Sequence, residues 1–205
     1  MYKFLIVVFS FLFAQFGYSQ VVINEYSCAN SSVAGLSDAF GEREDWVELF
    51  NTTGAAIDLN GYHISDKSGN ITKFQIPNSI IIPAGGYVMV FGSGRGLVTG
   101  GNEIHTNFKW TQTRFEKIIL SDGIANVLDS LTIIPNQLLH SRGRTTNGAA
   151  TWSVFTNSTP NASNGVAQQE YATTPVFGLQ AGFYSAAQSV AITTPDLNIT
   201  IRYTT

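Results

Sequence analysis

The run Asp45 to Asp66, DWVELFNTTGAAIDLNGYHISD, constrains this chain more than any other stretch. Side chains alternate along a strand, so Val47 and Leu49 point to one side and Trp46 and Phe50 to the other. Apolar residues on both faces require a central strand, covered on both sides. Asn51-Thr52-Thr53-Gly54 then supplies turn chemistry, because Asn and Gly tolerate positive φ. Ile57, Leu59 and Tyr62 begin the next pairing partner, and Asp66 to Asn70 turns the chain again. Glu48 shares the Trp46/Phe50 face, where an unpaired carboxylate is costly. It needs a cation, a metal or several N–H donors. The expected partner is Arg142 or Arg144, from Ser141-Arg142-Gly143-Arg144. An internal Glu48–Arg144 ion pair is the reading carried forward, ahead of any catalytic role.

Several separated segments carry a family resemblance. DWVELFN followed by IDLNGYHISD resembles the heart of the lamin tail domain as it occurs in secreted bacterial proteins. Ile23-Asn24-Glu25-Tyr26 resembles the opening of that family. The segment IPAGGYVMVFGSG resembles its I-P-A-G-G-Y lead-in, and His105 to Trp110 a further strand. Ser141 to Arg144, Trp152 and Thr159 to Asn164 are similar to its closing signature, S-x-G-R, a Trp, then T-P-x-x-x-N. The resemblance implies an all-β, immunoglobulin-like β-sandwich over residues 20–156.

Composition agrees with such a fold. The chain has 205 residues, is rich in Gly, Thr, Ser and Asn, and only 12% of it is charged, which suits a turn-rich extracellular β module. Its formal charge is −3, and losing Lys3 with a leader makes it more negative. No basic stripe appears, so nucleic acid is not an expected partner, although eukaryotic lamin tails are reported to touch it. Met1 to Ser19 reads as a signal peptide: Lys3 is the charged start, Phe4 to Phe13 the apolar run, and Gly17 and Ser19 the small residues before cleavage. The run is too short to cross a bilayer, and no spanning segment follows it. The mature protein is therefore expected to be secreted or at the cell surface. Cys28, the single cysteine, excludes an intrachain disulfide and reads as a buried small hydrophobe.

The candidate sites are few. Asp38, Glu42, Glu44 and Asp45 crowd a loop, with Arg43 among them. Hard cations want several oxygen ligands, so these four are Ca²⁺ candidates, although the spacing is not that of an EF-hand. A solvated acidic loop is the plainer reading. Gly92-Ser93-Gly94-Arg95-Gly96 lacks the sixth-position glycine of a dinucleotide loop and also fails the G-x-S-x-G pattern, so it reads as a flexible loop. His63, His105 and His140 sit in no catalytic signature, and each reads as a hydrogen-bonded strand or loop histidine, with spatial convergence left open. Glu25 and Glu48 are expected to be structural; facing each other across an open cleft, they would instead suit glycoside hydrolysis. Tyr62, Phe108, Trp110 and Trp152 can stack on sugar rings if exposed, and otherwise belong to the core.

Residues 157–173 read as a polar linker. From Thr174 the chain resembles the start of the small β module found at the end of chitobiase and hexosaminidase enzymes, also called an Fn3-associated repeat. Pro175, Phe177, Gly182-Phe183-Tyr184, Val190, Ile192, Ile199 and Arg202-Tyr203-Thr204 carry that likeness. Two or three β-like runs are expected, from Val176-Phe177, Ser189 to Thr193 and Ile199 to Tyr203. A further strand usually follows in that family, so an incomplete module at 174–205, in a fragment of a larger product, is expected. The functional expectation is a non-catalytic extracellular interaction or spacer module that needs no cofactor and meets a protein, cell-surface or glycan partner. The alternative is a Ca²⁺- or glycan-binding accessory module of a secreted hydrolase or kinase-like protein.

Overall fold

A computed structural model describes residues 20–197 and 199–204. The expected leader lies outside them. The strands, in chain order, are β1 (Val21–Ser27), β2 (Trp46–Asn51), β3 (Ile57–Asp58), β4 (His63–Ser65), β5 (Phe74–Gln75), β6 (Ile81–Ile82), β7 (Tyr87–Phe91) and β8 (Leu97–Val98). Then follow β9 (Ile104–His105), β10 (Lys117–Ser121), β11 (Val127–Thr132), β12 (Ser141–Arg144), β13 (Trp152–Phe155), β14 (Val176–Phe177) and β15 (Ile192–Thr193).

A seven-stranded sheet, ordered β13-β12-β1-β2-β7-β9-β8, faces a four-stranded sheet, β11-β10-β4-β5. Val47 and Leu49 pack inward with Ile23, Tyr26, Val88 and Val90 against Ile64, Phe74, Ile118 and Leu120 of the smaller sheet. The two-faced reading of β2 holds, because Trp46 also packs, on the outer face, with Met89, Phe91 and Leu36. The all-β, immunoglobulin-like β-sandwich follows directly from these two layers.

Strict alternation fails in β1. Its register against β2 shifts between Ile23 and Glu25, so Ile23 and Tyr26 both enter the core. A bulge adds one residue and re-aims its neighbours. Here it turns both Asn24 and Glu25 toward the outer face, where Glu25 lies opposite Glu48.

Other expectations change for local reasons. The β10–β11 connection is longer than the two-residue Asp122-Gly123 hairpin: Asp122 N–H donates to Asn126 C=O at 3.0 Å, and Ala125 takes φ 65°. The Asp122 carboxylate accepts from the N–H groups of Ile124 and Asn126, which stabilises that three-residue loop. Of the expected His105–Trp110 strand only His105 is in a strand, as the end of β9, and Phe108 and Trp110 then turn into the core. The loop after β7 is pinned: Gly94 and Gly96 donate to the carbonyls of Phe108 and Thr106. Gly92 lies against Trp110, where a Cβ would stand 2.7 Å from the ring.

Beyond the sandwich, β14 and β15 form a two-stranded sheet. Ile199 to Tyr203 does not join it. Phe177, Tyr184, Val190 and Tyr203 are exposed around a cavity of about 850 Å³.

Candidate functional site

Motifs far apart in the chain meet on the outer face of the larger sheet. Asn24, Glu25 and Glu48 are wholly buried there. Glu48 Oε1 accepts from Asn24 Nδ2 at 2.9 Å, and Oε2 from Asn161 N–H at 2.6 Å. Glu25 accepts from Ser141 Oγ–H, from Thr159 N–H at 3.0 Å and from Thr159 Oγ1–H at 2.8 Å. Asn164 receives a hydrogen bond from Asn24 and donates to Arg144 C=O at 2.6 Å. The turn Thr159–Asn164 is thereby latched over two carboxylates. Gly143 makes room for it, since a Cβ there would stand 3.1 Å from Asn164 Nδ2 and 3.2 Å from Glu25 Cγ.

The electrostatics of the latch are tense. Burial pushes the Glu48 carboxyl up to about 8, opposed by the Asn24 donor and reinforced by the charge of Glu25. Burial also raises Glu25, against the pull of Ser141 and Thr159. The two glutamates do not open onto a cleft, so a glycosidase arrangement is not formed.

The expected Glu48–Arg144 ion pair is not made. Arg144 lies on the opposite side of the sheet and pairs with Asp129 of β11 at 2.6 Å. Its Nε–H donates to Ile23 C=O at 2.7 Å, while Asp129 accepts from Ile23 N–H at 2.8 Å. Arg142 instead forks onto Glu170 at 2.6 and 2.8 Å and lies 5.4 Å from the Tyr171 ring. The reason is parity: in Ser141-Arg142-Gly143-Arg144 both arginines share one face, and Tyr26 opposite Arg142 fixes that face as the inner one.

Residues 157–173, read as a linker, bind as a strap. Beyond the latch, Gln168 N–H donates to Val154 C=O at 2.8 Å, and Tyr171 stacks on His140 with ring centroids 5.9 Å apart.

The Ca²⁺ candidates do not converge. Asp38 Oδ1 caps the N–H groups of Phe40 and Glu42. Glu42 pairs with Arg95 at 2.7 Å and Glu44 with Lys109 at 2.7 Å. Burial, then the neighbouring Glu44 charge, raises Asp45 to about 6. Among the described residues no group of three or more His, Cys, Asp or Glu can hold a metal ion. Phe108 and Trp110 are buried, and Tyr62 and Trp152 pack against the core, so these four form no exposed sugar platform. Cys28 is buried, which pushes its thiol up.

Of the histidines, His63 bonds Asp122 C=O at 3.1 Å and His140 bonds the Tyr171 hydroxyl at 3.0 Å. His105 alone meets a hydroxyl and two acids, namely Ser93, Asp38 and Glu103. Sequence reading missed this cluster, because Asp38 and Ser93 reach His105 from separate loops. It also missed Asp129, Asn161 and Glu170, whose partners lie 15 to 113 residues away. The one available signal was the acidic Asp129 beside Leu128 and near Leu131 in β11.

Fold and latch together define an immunoglobulin-like β-sandwich whose distinctive polar residues hold its own chain in place. The model of the Lamin Tail Domain matches residues 14–135, and the chain belongs to the lamin tail domain family. The sandwich continues past that match, since β12 inserts beside β1. A search of curated proteins found no match. Among the described residues no helix is long and apolar enough to cross a membrane.

Proposed function

We propose that this protein is a non-catalytic interaction or spacer module that works outside the cytoplasm as part of a larger polypeptide. One observation carries the reading: the most deeply buried carboxylates, Glu25 and Glu48, are engaged by N–H and O–H donors of the chain itself and face no cleft. Enzymes keep such groups aimed at a space for substrate. Lamin tail domains are β domains, often non-catalytic, and serve as protein-interaction modules. Export rests on the apolar leader Met1 to Ser19. The pairing with a second, enzyme-associated β module rests on the sequence likeness of the segment after Thr174.

The test has two parts. Intact mass of the native protein recovered outside the cytoplasm should show a mature start near Gln20. Purified protein should be silent in esterase, phosphodiesterase and glycosidase screens. Turnover abolished by Ser93→Ala or by Glu48→Gln would overturn the non-catalytic reading, and recovery only from the cytoplasm would overturn export.

A further inference from the structure

The loop between β1 and β2 covers His105, which is wholly buried. Its ring stacks on Phe91, with centroids 5.5 Å apart, and meets Phe40 edge-on at 5.2 Å. Ser93 Oγ lies 3.1 Å from Nδ1. Two carboxylates flank the ring at its two nitrogens: Asp38 Oδ2 is 3.8 Å from Nδ1, and Glu103 Oε2 is 3.5 Å from Nε2. Asp38 Oδ2 and His105 Nε2 are both buried without a hydrogen-bond partner. Two such atoms against one ring are unusual, because buried polar atoms are normally paired.

The chemistry narrows the reading. Carboxylates at opposite nitrogens of one ring do not converge on a single metal ion. Ser93 is 8% exposed, so its hydroxyl offers a substrate no approach. A proton is the ligand that fits. An imidazolium carries N–H on both nitrogens: Nδ1 can donate to Ser93 Oγ, Nε2 points a donor toward Glu103 Oε2, and the ring's charge attracts the Asp38 carboxylate 3.8 Å away.

The same carboxylates hold the loop. Asp38 Oδ1 accepts from Phe40 and Glu42 N–H at 2.9 Å, and Glu103 Oε2 accepts from Ala39 N–H at 2.8 Å. On the outer side, Arg95 pairs with Glu42 and lies 4.1 Å from the Phe40 ring. The charged groups around His105 are thus Asp38 from the loop, Glu103 from its own strand region, and the Arg95–Glu42 pair on the rim. Phe40, Phe91 and Ser93 complete the surround without charge.

We propose that His105 is a proton-operated clasp: proton uptake locks the lid Asp38–Glu42 onto the sheet edge, and proton loss loosens it.

Hydrogen exchange on the full chain, corrected for intrinsic rates, tests this. From pH 8 to pH 5, protection of the Phe40, Gly41 and Glu42 amides should rise at least about tenfold, as expected when a buried carboxylate gains a charged donor. The Val47 and Leu49 amides of β2 should change less, and His105→Gln should abolish the difference. If that variant does not fold, Asp38→Asn serves instead: it keeps the acceptor for Phe40 and Glu42 and removes the charge, so the ratio should shrink. A ratio no larger than that of β2, or one retained in both variants, would overturn the proposal.

Discussion

Arg144 and Asp129 join the two layers of the sandwich at 2.6 Å, and both bond the backbone of one residue of strand β1, Ile23, at its C=O and N–H respectively. Ile23 sits where β1 has no ladder partner on the β12 side, because the β1–β12 register covers only Glu25 and Tyr26. The ion pair supplies the acceptor and donor that a neighbouring strand would have offered. An inward-facing charge on β11, an edge strand, also discourages pairing with a foreign strand.

Breaking that arrangement leaves Ile23 polar groups and one charge buried without partners. Asp129→Ala and Arg144→Ala are each expected to cost about 2–4 kcal/mol in urea unfolding. The double variant should cost clearly less than the sum, since the residues share one network. Additive losses would mean the pair is not coupled.

The latch should make stability depend on pH. Glu48 is raised from 4.5 to about 8 in the fold, and Glu25 and Asp45 are raised as well. A raised acid binds more protons folded than unfolded, so its stabilisation is present at low pH and is lost as pH climbs from about 4.5 toward 8. Melting temperature should therefore fall between pH 5 and 9, by roughly 2–4 °C for each ~1 kcal/mol lost. Glu48→Gln should flatten the fall while lowering stability at pH 5, because its amide faces N–H donors. A melting temperature that rises with pH would contradict the latch.

Gly143 and Gly54 make a matched pair. A Cβ on Gly143 would crowd Asn164, Phe155 and Glu25, whereas one on Gly54 would meet nothing within 4 Å. Gly143→Ala should cost about 1–3 kcal/mol and free the strap to proteolysis. Gly54→Ala should stay within about 0.5 kcal/mol of the parent. Equal effects would show that the strap is not packed against Gly143.

Calcium at millimolar concentration should leave the melting temperature unchanged. Asp38, Glu42 and Glu44 already serve loop amides, Arg95 and Lys109, and they do not converge. A calcium-dependent rise lost in Asp45→Ala would show instead that the loop rearranges around the ion.

Much of the sandwich was legible before the structure. The faces of β2 and the burial of Cys28 follow from side-chain alternation and residue type. The bulge at Asn24 was not, because one extra residue on a strand leaves no mark in composition. Nor was the role of the strap, whose polar residues look like solvent-facing linker until their partners are known.

The amino-acid sequence by itself determined the all-β class, the central strand and the need for Glu48 to be satisfied inside the protein. These are local consequences of period-two patterning and of the cost of burying charge. Tertiary structure alone decided who satisfies it. Arg144 was the obvious cation, yet strand parity and the β1 bulge sent it to Asp129 and left Glu48 to Asn24 and Asn161. Which face a side chain occupies depends on register with strands distant in sequence, and that is settled only when the layers close.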